Sequence, residues 1–159
     1  MNFHLPRTAS LDDIQGLVDL ENLCFTHDRI SKRSFRYFLT KSPAEIWVID
    51  RAADQPDGAA AGKTIVAYGL VLFHRGTSLA RIYSLAVHPS ERGKGHARQL
   101  ILTMESSARK HCALFIRLEV ADDNPGALKL YQSLGYEPIR RLHQYYEDGH
   151  DGYRLEKRL

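Results

Sequence analysis

Long apolar runs, metal-ligand spacings and basic tracts are all missing from these 159 residues, and each absence closes off a class of function. The longest apolar-rich stretch, Ile65 to Phe73, is far too short to cross a bilayer. The opening Met-Asn-Phe-His-Leu-Pro-Arg has no apolar centre of the kind a secretion signal carries, so a soluble cytoplasmic protein without membrane partners is expected. Only two cysteines occur, Cys24 and Cys112, in no redox or metal motif. Both sit in apolar patterns and are expected as buried, reduced thiols. The eight histidines are scattered without i,i+4 or metal-ligand spacing, so no metal site is expected. A formal charge of +3, with no basic run longer than Arg140-Arg141, argues against a nucleic-acid partner.

What is present is an ordinary globular composition, 43% hydrophobic and 26% charged, long enough for one domain with a proper core. Internal repeats and linkers are absent, so residues 1–159 are read as a single domain, monomeric or homodimeric. Strand-like and helix-like segments alternate, which predicts an α/β layer structure. A short strand around His4–Arg7 leads to Ser10, a helix N-cap with Asp12 and Asp13 in the first turn. Ile14, Leu17, Val18 and Cys24 then form a helical stripe, and Ser31 opens a second helix with Phe35, Phe38 and Leu39 inward. Glu45–Arg51, Thr64–Phe73 and Leu79–Val87 read as strands, with a flexible hairpin loop at 52–63. Ala113–Val120 is a further strand, and Pro125 begins a helix that ends at Gly135. Tyr136–Tyr146 and Tyr153–Lys157 are expected as the last strands.

The richest segment is Ile82-Tyr-Ser-Leu-Ala-Val-His-Pro-Ser-Glu-Arg92-Gly-Lys-Gly-His-Ala-Arg98. An apolar strand ends at Val87, and a glycine loop then opens a helix whose inward face carries Ala97, Leu100, Ile101, Met104 and Ala108. The first amides of a helix lack intrahelical partners and face outward with the positive end of the dipole, so this is an anion site suited to phosphate. A nucleoside-triphosphate loop is disfavoured because His96, not Lys, follows Gly95. A dinucleotide fingerprint, and with it an oxidoreductase, is disfavoured because Gly93-Lys-Gly95-His-Ala-Arg98 lacks the third glycine.

The pattern that fits is Arg92-x-x-Gly95-x-Ala97. With Leu85-Ala-Val-His-Pro before it and Asn124-Pro-Gly-Ala-Leu-Lys-Leu-Tyr131-Gln-Ser-Leu-Gly135-Tyr136 after it, the stretch resembles the GNAT superfamily of acetyl-CoA-dependent N-acetyltransferases. In motif it is most similar to the branch that acetylates the N-terminal alanine of a ribosomal protein. The resemblance is specific from about Ile82 to Tyr136 and general before that. It implies a central, mostly antiparallel mixed sheet, splayed open between Leu79–Val87 and Ala113–Val120 and flanked by about four helices. The pantetheine arm of the coenzyme would lie in that opening against the backbone of Leu85, Ala86 and Val87. Amides of Arg92, Gly93, Lys94, Gly95, His96, Ala97 and Arg98 would hold its pyrophosphate.

An amine is mostly ammonium at neutral pH and needs a base before it can attack a thioester. Read from the strand alone, Glu119 shares a face with Arg117 and would pair with it or meet solvent. The resemblance makes Glu119 the base instead, because Leu-Glu-Val is followed by Asn124 as in the peptide-acetylating branch. Tyr131 on its helical stripe reads as a core aromatic, whereas the match of Leu130-Tyr131-x-x-x-Gly135-Tyr136 makes it the acid for the departing thiolate. The same match gives Asn124 a hydrogen bond to pantetheine or loop. Tyr145-Tyr146 and the acidic loop after it lie where that branch has a similar pair and loop, so the resemblance implies a groove for a peptide or other primary amine. The implied activity is direct transfer from acetyl-CoA to an amine, pointing to a peptide N-terminus, with small-molecule amines and lysine side chains as alternatives. A non-catalytic acyl-CoA sensor is the reading of a different class.

Overall fold

Apolar alternation and capping residues set the elements of the computed structural model, which describes residues 4–52 and 63–159. In chain order these are β1 (Arg7–Thr8), α1 (Ile14–Cys24), α2 (Lys32–Thr40), β2 (Ala44–Ala52), β3 (Lys63–Phe73), β4 (Leu79–Val87), α3 (His96–Lys110), β5 (Phe115–Ala121), α4 (Pro125–Ser133), β6 (Glu137–Leu142) and β7 (Gly152–Arg158). Short 3-10 turns precede α1 and α3. The expected caps start the helices. Ser10 forms a reciprocal box with Asp13, Ser31 Oγ accepts from Ser34 N–H at 3.1 Å, and Asn124 Oδ1 accepts from Ala127 N–H at 3.2 Å. Each satisfies an amide that has no partner inside its helix. Among the described residues no helix is long and apolar enough to cross a membrane.

The strands form one sheet in the order β1-β2-β3-β4-β5-β7-β6. Only β4 and β5 run parallel; the other neighbouring pairs are antiparallel. Seven consecutive residues of β3 are buried, as a central strand covered on both faces requires. One face packs Leu17, Leu20, Phe35, Tyr68 and Leu70 under α1 and α2. The other packs Ile82, Leu100, Met104, Leu118, Tyr131, Tyr136 and Leu155 under α3 and α4. This is the expected splayed α/β sheet with four helices among the described residues.

Several sequence expectations need correction. The first strand is only Arg7–Thr8, paired with Val48 and Trp47; Pro6 has no N–H to add to a ladder. β6 stops at Leu142, because Gln144 turns the chain at φ 46° and its amide goes to Asp151 Oδ1 at 2.9 Å. Cys112 is exposed and Cys24 half-buried, so neither is the fully buried thiol expected. Cys112 occupies the left-handed turn that closes α3, where an apolar neighbourhood in sequence does not become an inward face. The hairpin loop expected at 52–63 falls on residues 53–62, outside the described residues.

Candidate active site

The opening in the sheet follows from where pairing stops. β4 and β5 are in register only from Leu79–Arg81 to Phe115–Arg117. Beyond that, β4 stays with β3 as far as Val87 and β5 stays with β7 as far as Ala121, so two strand edges face each other unpaired. A bulge helps, because Ser84 opposes Leu70 and Ile82 opposes Val71, leaving Tyr83 as the extra residue. His88 N–H donates to Val66 O at 2.7 Å, toward β3. Alternation therefore turns the backbone groups of Val87, and of Leu85 two residues back, into the opening. Val87 O is met there by Cys24 Sγ at 3.4 Å and Arg92 Nε at 3.3 Å. Free edge amides beside a diverging strand are what an extended, amide-bearing ligand pairs with.

The glycine loop lies at the wide end. Gly93 and Gly95 have φ of 77° and 85°, a conformation that disfavours any residue with a Cβ. The first α3 bond among these residues runs from Gln99 N–H to Gly95 O at 3.0 Å, so earlier amides are directed out of the helix end. The loop's cations are gathered by Glu91, a nearly buried carboxylate at the turn before it. Glu91 accepts from Arg51 at 2.5 Å and Lys94 at 3.1 Å, with His96 Nε2 at 3.4 Å. The Lys94 bond, with those from Arg51 and His96, holds its carboxyl at about 2. A depressed carboxyl stabilises the fold above its ordinary range and loses that contribution only as pH falls toward about 2, so the tie persists at every physiological pH. With Lys94 and His96 so engaged, the anion-binding groups left at the loop are its amides and the exposed side chains of Arg92 and Arg98. Gly95→Val should therefore weaken acetyl-CoA binding at least tenfold, about 1.4 kcal/mol. Calorimetry on the folded variant measures this, and unchanged affinity would remove the loop from the coenzyme site.

Glu119 stands on β5 on the face opposite Leu118 and Val120, as alternation predicts. Its partners differ from those the strand suggested. Arg117 pairs with Glu156 at 2.5 Å, while Glu119 receives Arg81 Nη2 at 2.9 Å and Arg154 Nε at 3.1 Å. Arg81 comes from the last paired position of β4 and Arg154 from β7, opposite Glu119 in register. The carboxylate, 7% exposed, thus spans the mouth of the opening as the one anion between two cations. Sequence reasoning missed both arginines, since pairing across strands depends on β7 lying beside β5.

Tyr131 sits on α4 with 7% exposure, edge-on to Tyr136 at 5.7 Å between ring centroids. Its hydroxyl makes no hydrogen bond among the described residues, and burial alone pushes its pKa up to about 12. Tyr145 accepts from Arg81 Nη2 at 3.3 Å, and Tyr146 lies edge-on to it at 5.1 Å. Burial raises the Tyr146 phenol, with Tyr145, Glu119 and Tyr131 adding to the shift in that order. Arg81 joins Glu119 to the Tyr145–Tyr146 pair, which comes from a separate segment. A Cβ on Gly152 would stand 2.9 Å from Tyr146 Cε2 and 3.2 Å from Val120 O. Gly152→Ala should accordingly displace the ring or the strand, at a cost of about 1–3 kcal/mol. An unchanged melting temperature and turnover would mean the ring has room.

Two features lie apart from this site. Trp47 lines a separate groove of about 570 Å³ with Glu45, Leu102, Ser107 and His111, and it donates to Glu45 at 2.9 Å. The histidines, scattered in sequence, gain one grouping among the described residues: exposed His150 with Asp122 and Asp123.

The sheet opening, glycine loop and following helix together define an acyl-coenzyme A transferase type of site. The profile of the Acetyltransferase (GNAT) family matches residues 14–136, and the chain belongs to that family. It is an N-acetyltransferase. N-alpha-acetyltransferase 30 of Schizosaccharomyces pombe is 34% identical over 125 residues, covering 78% of each chain. N-alpha-acetyltransferase RimI of Mycobacterium tuberculosis is 31% identical over 103 residues, 63% of each. In three dimensions the chain is similar to Arabidopsis thaliana NAA60 in complex with acetyl-CoA, with TM-score 0.83, 19% identity and 99% of each chain covered. It is also similar to the ribosomal-protein-S18-alanine N-acetyltransferase of Escherichia coli, with TM-score 0.80, 18% identity, and 98% and 94% covered.

Proposed function

We propose that this enzyme transfers acetyl from acetyl-CoA to the α-amine of a peptide or protein N-terminus, in a ternary complex. The observation that carries the reading is the divergence of β4 and β5 beyond Arg81 and Arg117, with Glu119 at its mouth and the Tyr145–Tyr146 loop beside it. Relatives named for N-alpha-acetylation support the choice of acceptor.

In this reading, Leu85, Ala86 and Val87 offer backbone groups to pantetheine, and Arg92 yields Val87 O to one of its amides. The amides from Arg92 to Arg98 hold the pyrophosphate, and Asn124 faces the arm from the start of α4. Glu119 takes the proton of the acceptor ammonium, directly or through a water. The freed nitrogen attacks the thioester carbon, and an edge amide of β4 steadies the oxyanion, usually a large share of such catalysis; as the intermediate collapses to the amide, the surplus proton on nitrogen passes through water to the departing sulfur. As the carbon–sulfur bond breaks, Tyr131 offers its hydroxyl to the thiolate. A coenzyme thiol is ordinarily near ~8.5, well below the phenol at about 12. Tyr131 therefore acts by donating a hydrogen bond to the sulfur more than by completing proton transfer.

Thermal shift with acetyl-CoA, NAD and ATP tests the donor: stabilisation by acetyl-CoA alone is expected. Release of coenzyme thiol with a panel of free-N-terminus peptides, polyamines, lysine peptides and aminoglycosides tests the acceptor. Turnover confined to non-peptide amines would overturn the peptide reading. Tight acetyl-CoA binding with no turnover on any amine would make the protein a sensor.

A further inference from the structure

One buried carboxylate takes no part in this chemistry. Glu21, on α1 and 1% exposed, accepts from Ile30 N–H at 3.0 Å and from the hydroxyl of Tyr68 on β3. Tyr68, itself fully buried, lies 2.8 Å from Ser84 Oγ on β4. A phenol has one hydrogen, and Tyr68 spends it on Glu21, so Ser84 must be the donor in the second bond. The bonds therefore run one way, from Ser84 through Tyr68 to Glu21, with Ile30 arriving from the other side.

In the proposed reading the two ends of this chain flank the acceptor. Ser84 adjoins Tyr83, the bulge residue at the sheet opening. Ile30 closes the loop between α1 and α2. That loop is clasped to the segment after Tyr145–Tyr146, where Asp28 N–H donates to Glu147 Oε2 at 3.1 Å and Glu147 N–H to Asp28 Oδ2 at 3.4 Å. The Ile30 amide can only donate, so one Glu21 oxygen must accept there, and the other oxygen takes the Tyr68 hydrogen and so sets the direction of the Tyr68–Ser84 pair. Arg29 does not serve as its ion-pair partner, being bonded to Phe25 O at 2.5 Å and Asn22 O at 3.2 Å. Burying an anion without a cationic partner is costly, and the amide and phenol bonds offset some of that cost.

We infer that Glu21 is a positioning residue for acetyl transfer, tying the α1–α2 loop to the β4 bulge so that acceptor and thioester are held in one register. This rests on the proposed peptide acceptor. Glu21→Gln keeps the size but, with its oxygen held by the Ile30 amide, turns an NH2 group toward Tyr68, which must then accept and swing its own hydrogen to Ser84, reversing the bond chain. Peptide KM should then rise about tenfold or more, with acetyl-CoA affinity by calorimetry within about twofold of wild type. A merely structural loss would reduce the folded fraction, hence apparent kcat, and leave KM alone. Adding Tyr68→Phe removes the acceptor of that NH2 group and breaks the tie to β4 outright. The double variant should therefore have a peptide KM at least as high as that of Glu21→Gln.

A peptide KM for Glu21→Gln within about twofold of wild type overturns the inference, as does a double variant whose KM returns to that of wild type. Should Glu21→Gln fail to fold, amide exchange in the wild type decides: slow exchange at Ile30 supports the tie, and exchange at the rate of an open loop overturns it. Wild type without turnover on any peptide would sink the acceptor reading itself, a different result from normal turnover with unaltered KM in the variant.

Discussion

Glu119→Gln is expected to lower turnover by roughly 10²–10⁴-fold while acetyl-CoA binding persists. The substitution keeps the shape of the side chain and removes its ability to take a proton. It also removes the anion that Arg81 and Arg154 share, so some loss of stability accompanies the loss of rate. A pH profile separates the two effects. An α-amine titrates near ~7.7–8.0, so above that range the acceptor arrives neutral and needs no base. A variant lacking only the base should therefore recover some of its rate as pH rises toward ~9. A variant whose two arginines have moved should stay slow at every pH. Wild-type turnover at pH 7 would reduce Glu119 to a strut between β4, β5 and β7.

The features of this site that lie along the chain were legible in the sequence, and those assembled across strands were not. Ser10, Ser31 and Asn124 announce their helices because a cap is a contact between residues three apart. Gly93 and Gly95 announce the loop because left-handed backbone favours glycine. The face of Glu119 follows from alternation within β5 alone. Its partners do not, since they depend on β7 entering the sheet between β5 and β6, an order that no local pattern encodes. Arg154 reaches Glu119 because of that insertion, and Arg81 because β4 and β5 diverge immediately after it. Gly152 likewise carries no signal in sequence as the residue under Tyr146. The opening itself was expected only by family resemblance: nothing within Leu79–Val87 says that its partner strand will leave.

Tyr131→Phe is expected to cut turnover about 10²-fold with almost no change in melting temperature. Read as a core aromatic with a satisfied hydroxyl, Tyr131 would lose about 0.5–1.5 kcal/mol on this substitution. The hydroxyl makes no hydrogen bond to the described residues, so removing it strands no partner, while the ring keeps its packing against Tyr136. The ring is buried but the hydroxyl, bonded to none of the described residues, is not a buried unpartnered atom, so it is open to a ligand as donor, and a departing sulfur anion fits it. Because burial weakens the phenol as an acid, the benefit should come as a hydrogen bond that strengthens as charge grows on sulfur. A donor ester with a more acidic thiol develops less need for that bond, so the gap between variant and wild type should narrow with it. The measurement is turnover of both proteins with acetyl-CoA and with such a donor, beside their melting temperatures. Equal turnover with acetyl-CoA would return Tyr131 to the core and assign thiolate stabilisation elsewhere, with Tyr146 the next phenol to test.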